Sequence, residues 1–301
     1  MKRVLIFLTV LLVITSVFAA QDISWVDYGS NPVNVNSPGA RAYMPTALYN
    51  ASWGTASAYK IWYDSASYAG LGFSVSSDGI NWSTVSCTGV NASCGRPTVI
   101  YNSSWTHPYR LYYTSDASVD TKIRVAESDD GFTFVNDQVA YDSNNVPWVD
   151  GHPVLYDATA TPAFKMYANI GGGFSVLTSS DGYSFQTTAS LAVAGTADLP
   201  SSVLKISATD YRLFGYSSNT AITYYVSSDG LSFTVKQSPV STVGSLGATG
   251  TWNANRNYFC SVVYLGGGQF KMFRSGYNNS VYRIGLATGT DASSVDGWLH
   301  Y

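Results

Sequence analysis

A tandem repeat of about 50 residues constrains this chain more than any other feature in it. One unit reads Tyr59-Lys60-Ile61-Trp62-Tyr63, then Gly72-Phe73-Ser74-Val75-Ser76-Ser77-Asp78-Gly79, then Trp82. The next has Tyr109-Arg110-Leu111-Tyr112-Tyr113, Ile123 to Ser128, Asp130-Gly131 and Phe134. A third has Phe164-Lys165-Met166-Tyr167, Phe174-Ser175-Val176, Ser180-Asp181-Gly182 and Phe185. A fourth has Tyr211-Arg212-Leu213-Phe214, Tyr224-Tyr225-Val226, Ser228-Asp229-Gly230 and Phe233. The fifth begins Phe270-Lys271-Met272-Phe273, continues Tyr282 to Ala287 and ends Thr288-Gly289, without the Asp-Gly pair. The glycines at 79, 131, 182 and 230 are spaced 52, 51 and 48 apart.

Upstream of each aromatic-basic segment lies another short apolar segment, opened in four cases by Pro45, Pro97, Pro153 and Pro200. Proline has no N–H to give to a ladder, so it suits the first residue of a strand. Asp-Gly between alternating segments is a hairpin signal, because the tight turn needs positive φ. Each unit therefore reads as four short antiparallel strands. Five such units predict an all-β protein, a five-bladed β-propeller of four-stranded antiparallel blades. One small sheet cannot bury both of its faces alone. Blades packed around an axis bury each face against a neighbour, which accounts for the bulky side chains on nearly every strand. The fifth unit needs an outer strand from elsewhere. Ile23 to Tyr28, with Trp25 placed like Trp82, can supply it, and Gly297 to Tyr301 is the other candidate.

Residues 1–19 read as a signal peptide and 20–301 as a single propeller domain. Lys2 and Arg3 precede the apolar stretch from Val4 to Val17, and Val17-Phe18-Ala19 offers small residues for cleavage after Ala19. The expectation is a secreted or extracytoplasmic monomer with no membrane span after cleavage. Loss of Lys2 and Arg3 takes the formal charge from −3 to −5, and only 12% of the chain is charged. No Lys/Arg run provides the phosphate contacts that nucleic acid requires. The 23 tyrosines suit sheet faces and sugar-binding clefts alike, having apolar rings with a polar edge. Cys87 and Cys94, with Gly89 and Asn91 between them, are placed for a small loop disulfide; Cys260, in an apolar run, reads as a buried thiol. None has metal-site spacing, and neither a metal nor another cofactor is expected.

The Tyr-Lys-Ile-Trp-Tyr type of second strand and the Ser-Ser-Asp-Gly-x-x-Trp ending resemble the five-bladed β-propeller glycoside hydrolases of families 43 and 32. Arabinanases, xylosidases, invertases and levansucrases belong to that group. The resemblance covers residues 40 to about 290, on motifs that are mostly structural. The Ser-Ser-Asp-Gly elements also resemble the Asp boxes of sialidases, which have one residue between Asp and Gly. In both groups such elements sit at blade edges, so Asp78, Asp130, Asp181 and Asp229 read as turn residues.

A propeller's functional centre is usually its axial mouth, where the innermost strands begin. The residues just before the strand-opening prolines should point there: Arg41, Tyr43, Met44, Arg96, Trp148, Asp150, His152 and Asp198, with Arg256 and Asn257 in the fifth unit. Carboxylates accept hydrogen bonds from sugar hydroxyls, arginines donate them, and aromatic faces stack on sugar rings. Arg41, Tyr43, Arg96, Trp148, His152 and Arg256 are the candidate carbohydrate-binding residues.

Glycoside hydrolysis needs two carboxylates about the scissile bond. The resemblance implies an Asp in the first blade, a Glu in a later one and a further Asp tuning the acid. This sequence departs from that pattern: Met44-Pro45 stands where the first Asp is expected, and the only glutamate, Glu127, lies beside an edge turn. Asp150 matches the tuning Asp, and Asp198-Leu199-Pro200 occupies the acid's slot. Asp198 as general acid and Asp150 as base or modulator are the candidate catalytic residues; equally, the two could cap strand starts or pair with Arg96 and Arg41. The expectation is a secreted carbohydrate-active protein, a hydrolase of poly- or oligosaccharide at the axial mouth. The alternative is a non-catalytic extracellular propeller that binds glycan or protein.

Overall fold

The computed structural model of the chain describes residues 22–36, 40–65, 70–91, 94–114, 121–144, 149–150, 152–171, 173–190, 199–217 and 220–291. The expected signal peptide, Trp148, Asp198 and Gly297 to Tyr301 lie outside the described residues, and of Asp150 only the backbone is described.

Strand β1 (Ile23–Asp27) comes first in the chain but belongs to the last blade. The first blade is β2 (Tyr43–Tyr49), β3 (Tyr59–Asp64), β4 (Leu71–Ser76) and β5 (Ser83–Val85). The second is β6 (Gly95–Tyr101), β7 (Tyr109–Thr114), β8 (Lys122–Ser128) and β9 (Val135–Asp142). In the third, the inner strand comes in two pieces, β10 (Val149–Asp150) and β11 (Val154–Tyr156), both paired with β12 (Phe164–Ile170). That blade continues through β13 (Gly173–Ser179) and β14 (Gln186–Ser190). The fourth is β15 (Leu199–Ser207), β16 (Asp210–Ser217), β17 (Ala221–Ser227) and β18 (Thr234–Gln237). The fifth is β19 (Arg256–Gly266), β20 (Gln269–Tyr277) and β21 (Tyr282–Asp291), completed by β1 antiparallel to β21 with Trp25 opposite Gly289. The inner strands touch in cyclic order, so the ring closes as a five-bladed all-β propeller. Of the two closures open to the sequence, the N-terminal one is formed.

The core lies between blades. Tyr63 of the first blade packs in one cluster with Phe273, Ile284 and Leu286 of the fifth, and Trp62 in another with Leu111 and Tyr113 of the second. Polar latches tie the same surfaces. Trp62 Nε1 donates to the carbonyl of Gly131 at 2.7 Å, Tyr112 Oη to Gly182 at 2.9 Å and Tyr167 Oη to Gly230 at 2.8 Å. The basic residue beside each ring does the same to the preceding aspartate's carbonyl: Lys60 to Asp130, Arg110 to Asp181, Lys165 to Asp229, and Lys271 to Asp78 across the closure. The fifth blade has no Asp-Gly pair, and there Arg212 reaches the carboxylate of Asp291 at 2.7 Å. The aromatic-basic pattern is therefore an inter-blade fastening.

The four aspartates are turn residues, as their sequence context predicts. In the first blade Asp78 Oδ1 accepts the backbone N–H groups of Ile80 and Asn81, and Ser76 Oγ accepts that of Gly79, whose φ is +76°. The same bonds recur around Asp130, Asp181 and Asp229.

Three inner strands start earlier than the proline rule predicts. The ladder slips between Tyr43 and Thr46, between Gly95 and Thr98, and between Pro200 and Ser202. Pro45 and Pro97 thus sit in bulges, where no ladder N–H is required, and Pro200 immediately precedes one. Beyond the bulges, hydroxyls of one inner strand accept axial N–H groups of the next. Ser261 Oγ accepts Ala47 N–H at 2.9 Å, Ser202 Oγ accepts Val262 N–H at 3.0 Å, and Thr46 Oγ1 accepts Val99 N–H at 3.4 Å. This belt satisfies strand edges that would otherwise face the axis unpaired.

The expected loop disulfide is not formed: Cys87, Cys94 and Cys260 are all free thiols. Cys87 and Cys94 pack in the same apolar cluster, and burial pushes their thiols up to about 12 and about 11. A thiol held that far from its thiolate is a poor partner for exchange.

Candidate functional site

Bulges in β2, β6 and β19, the last between Tyr258 and Cys260, each place one residue at the axial mouth. Met44, Arg96 and Phe259 hold equivalent positions with φ of 52°, 53° and 35°, a left-handed conformation that non-glycine residues rarely adopt. Such strain persists only where the surroundings enforce it, and it turns these residues inward. Met44, Arg96, His152 and Phe259 line a void of about 20 Å³ between Pro45, Pro97 and Pro200.

Arg96 and His152, both predicted as binding residues, meet in this void. His152 is 2% exposed, and its ring faces the backbone of Tyr112 and Arg96. Burial first, and the Arg96 charge second, lower its imidazole to about 3. His152 is therefore a neutral donor–acceptor at ordinary pH.

Of the other predicted binding residues, Arg41, Tyr43 and Arg256 gather on Tyr282. The Arg41 guanidinium lies 4.2 Å from the Tyr43 ring and 4.7 Å from that of Tyr282. Arg256 donates to Tyr282 Oη at 3.0 Å, and its guanidinium stands 5.6 Å from the Tyr277 ring, which stacks on Tyr282 at 4.4 Å. Tyr43 is itself buried beneath them, as are Tyr258 and Phe259, whereas Arg41, Arg256, Tyr277 and Tyr282 remain partly open to solvent. Burial and the neighbouring Tyr282 raise the Tyr258 phenol, which stays neutral.

Sequence reasoning missed Tyr277 and Tyr282. Both lie at the mouth end of the second and third strands of their blade, and only the hairpin register brings them over Arg41 and Arg256. It also missed Asp64, a fully buried carboxylate at the end of β3 opposite Tyr43. Of the two catalytic candidates, Asp150 is located by its backbone alone. Through β10 it pairs with Asn169 at the mouth edge of the third blade. Glu127, near the turn end of the third strand of its blade, is held by Asn136, Tyr183 and Arg110, a structural role. Among the described residues no group of three or more His, Cys, Asp or Glu side chains could hold a metal ion.

A ring of four-stranded blades around a mouth built at the start of the inner strands has known counterparts. An N-acetylgalactosamine deacetylase from F. plautii, in complex with blood group B trisaccharide, superposes with a TM-score of 0.69 at 13% identity, over 91% of this chain and 96% of that one. A thermostable family-43 glycoside hydrolase gives 0.62 at 15% identity, over 85% and 92%. This chain shares its five-bladed propeller fold with that glycoside hydrolase. A member of the GH130 family of mannoside phosphorylases, described as containing hydrolases of β-1,2 mannosidic linkages in Candida mannan, gives 0.60 at 13% identity, over 89% and 94%. No family model matches the sequence, and no curated protein does.

Proposed function

We propose that this chain is an exported, monomeric carbohydrate-active protein that engages poly- or oligosaccharide at its axial mouth. The observation that carries this reading is the stacked group of Arg41, Arg256, Tyr277 and Tyr282. Partly exposed tyrosine rings beside arginines combine the two kinds of side chain that suit a sugar, aromatic surface for its C–H face and hydrogen-bond donors for its hydroxyls. Met44, standing where the resembling hydrolases carry their first-blade Asp, favours binding over full hydrolytic competence.

Hydrolysis is the second reading, favoured by the position of Asp150 at the mouth edge of β12. With Asp198 as acid and Asp150 as base or modulator, the pair would need a separation of about 5–5.5 Å for retention or about 6.5–9.5 Å for inversion.

One experiment tests both readings. The purified protein is incubated with arabinan, xylan, fructan and mannan, and retention on each glycan and reducing-sugar release are measured together. Retention that falls in Arg41→Ala and Tyr282→Ala, without release, supports the binding reading. Release that disappears in Asp150→Asn or Asp198→Asn supports hydrolysis. Neither retention nor release, from protein shown to be folded, overturns the proposal.

A further inference from the structure

Beyond the hydroxyl belt the axial channel widens. On the side away from the mouth it encloses about 250 Å³, bounded by the second halves of the inner strands. The side nearest the belt holds Thr46, Thr98, Ser202 and Ser261, the walls are aliphatic, and the rings of Tyr49 and Tyr264 stand at the far edge. No lining residue carries a charge. Tyr49 and Tyr264 are half-buried, so the cavity meets solvent there and not at the mouth, where the channel narrows to about 20 Å³.

The lining has a chemical sense. Thr46, Ser202 and Ser261 each accept a backbone N–H through the hydroxyl oxygen, which leaves each its own O–H to donate. Tyr49 packs tilted against Tyr59 at 4.7 Å and Tyr264 against Phe270 at 5.0 Å, so both edge rings are held before any ligand arrives. A charged ligand would lose its hydration here and gain no counter-charge. A purely apolar one would leave the hydroxyl donors unmet. The volume falls just below the ~300–1,000 Å³ of drug-sized sites, which fits one small ring and not a chain.

We infer that this cavity is a second ligand site, for a single neutral sugar ring. The ring is either a free monosaccharide or the terminal residue of a neutral glycan. Its hydroxyls meet the belt and its C–H face meets the aliphatic walls and tyrosine rings. The site is independent of the axial mouth and of whatever the mouth binds.

Ligand-observed NMR on the purified chain tests it, with glucose, galactose, mannose, xylose and arabinose as neutral probes and galacturonate as the charged one. A second arm uses neutral disaccharides to separate free sugar from chain terminus. The expected result is binding of at least one neutral sugar, no binding of galacturonate, and a tenfold or greater loss in Leu204→Trp, which fills the cavity, and in Tyr264→Ala. Near-UV circular dichroism verifies folding. If Leu204→Trp does not fold, Tyr264→Ala at the open edge carries the comparison. Binding that survives both changes yet disappears in Arg41→Ala belongs to the mouth and overturns the inference. So does the absence of binding by any neutral probe, which leaves the cavity to water alone.

Discussion

His152 shows how burial converts a residue's chemistry into a pH dependence. Its folded imidazole is lowered to about 3, against about 6.5 in an unfolded chain. Above pH 6.5 both states are neutral and the difference contributes nothing. Below that value the unfolded state takes up a proton that the folded state refuses, so stability falls with pH until about 3. His152→Asn removes this dependence. At pH 5, urea unfolding should show about 2 kcal/mol less loss relative to pH 8 in the variant than in the parent, at 1.36 kcal/mol per pH unit. Asp229 acts in the same sense over a lower pH window, for a different reason. Burial raises its carboxyl, but the N–H groups of Ser232 and Leu231 and the hydroxyl of Ser227 outweigh that and hold it at about 2. Its contribution is present above the unfolded value near 4 and is lost as pH falls towards 2. Melting temperatures between pH 4 and 2 should therefore fall more steeply in the parent than in Asp229→Asn.

At the scale of elements, blades hold each other through a few repeated bonds set in large apolar contacts. Tyr112→Phe keeps the ring and removes only the bond to Gly182, leaving a buried carbonyl unpaired; chemical denaturation should show a cost of about 1–3 kcal/mol. Ser261→Ala should cost a similar amount by exposing Ala47 N–H to the axis. The blades were legible from the sequence because the turn chemistry and the aromatic alternation are local. The Asp-Gly pairs fix four hairpins, and the period of two fixes which residues face a neighbouring blade. The bulges were not legible, since X-Pro reads equally well as a strand start or a slipped ladder. Tyr282 was hidden for a different reason. It looks like any strand aromatic until cross-strand register sets it over Arg41. The far cavity was invisible as well, because its hydroxyls come from four separate blades and look in sequence like ordinary strand serines and threonines.

For the whole molecule, the decisive contact is the one that closes the ring. β1 delivers Trp25, 5% exposed, into a cluster with Phe214, Phe270 and Met272, so it packs two blades at once. Two residues on, Asp27 meets the buried Arg274 at 2.6 Å, and Asn257 Oδ1 accepts from the same guanidinium at 3.2 Å. Burial lowers the Arg274 guanidinium and Asp27 counteracts it, so the strand brings an apolar seal and a counter-charge together. Loss of that seal exposes apolar faces of the fourth and fifth blades together. Trp25→Ala should therefore cost about 3–5 kcal/mol, the range for truncating a buried tryptophan. Against a total of about 5–15 kcal/mol, that corresponds to a fall of about 10 °C in Tm by calorimetry. If closure by β1 holds the ring, the transition should remain single but shift down. A variant melting within about 2 °C of the parent would mean that the ring is held elsewhere, and that the N-terminal strand only covers an outer edge.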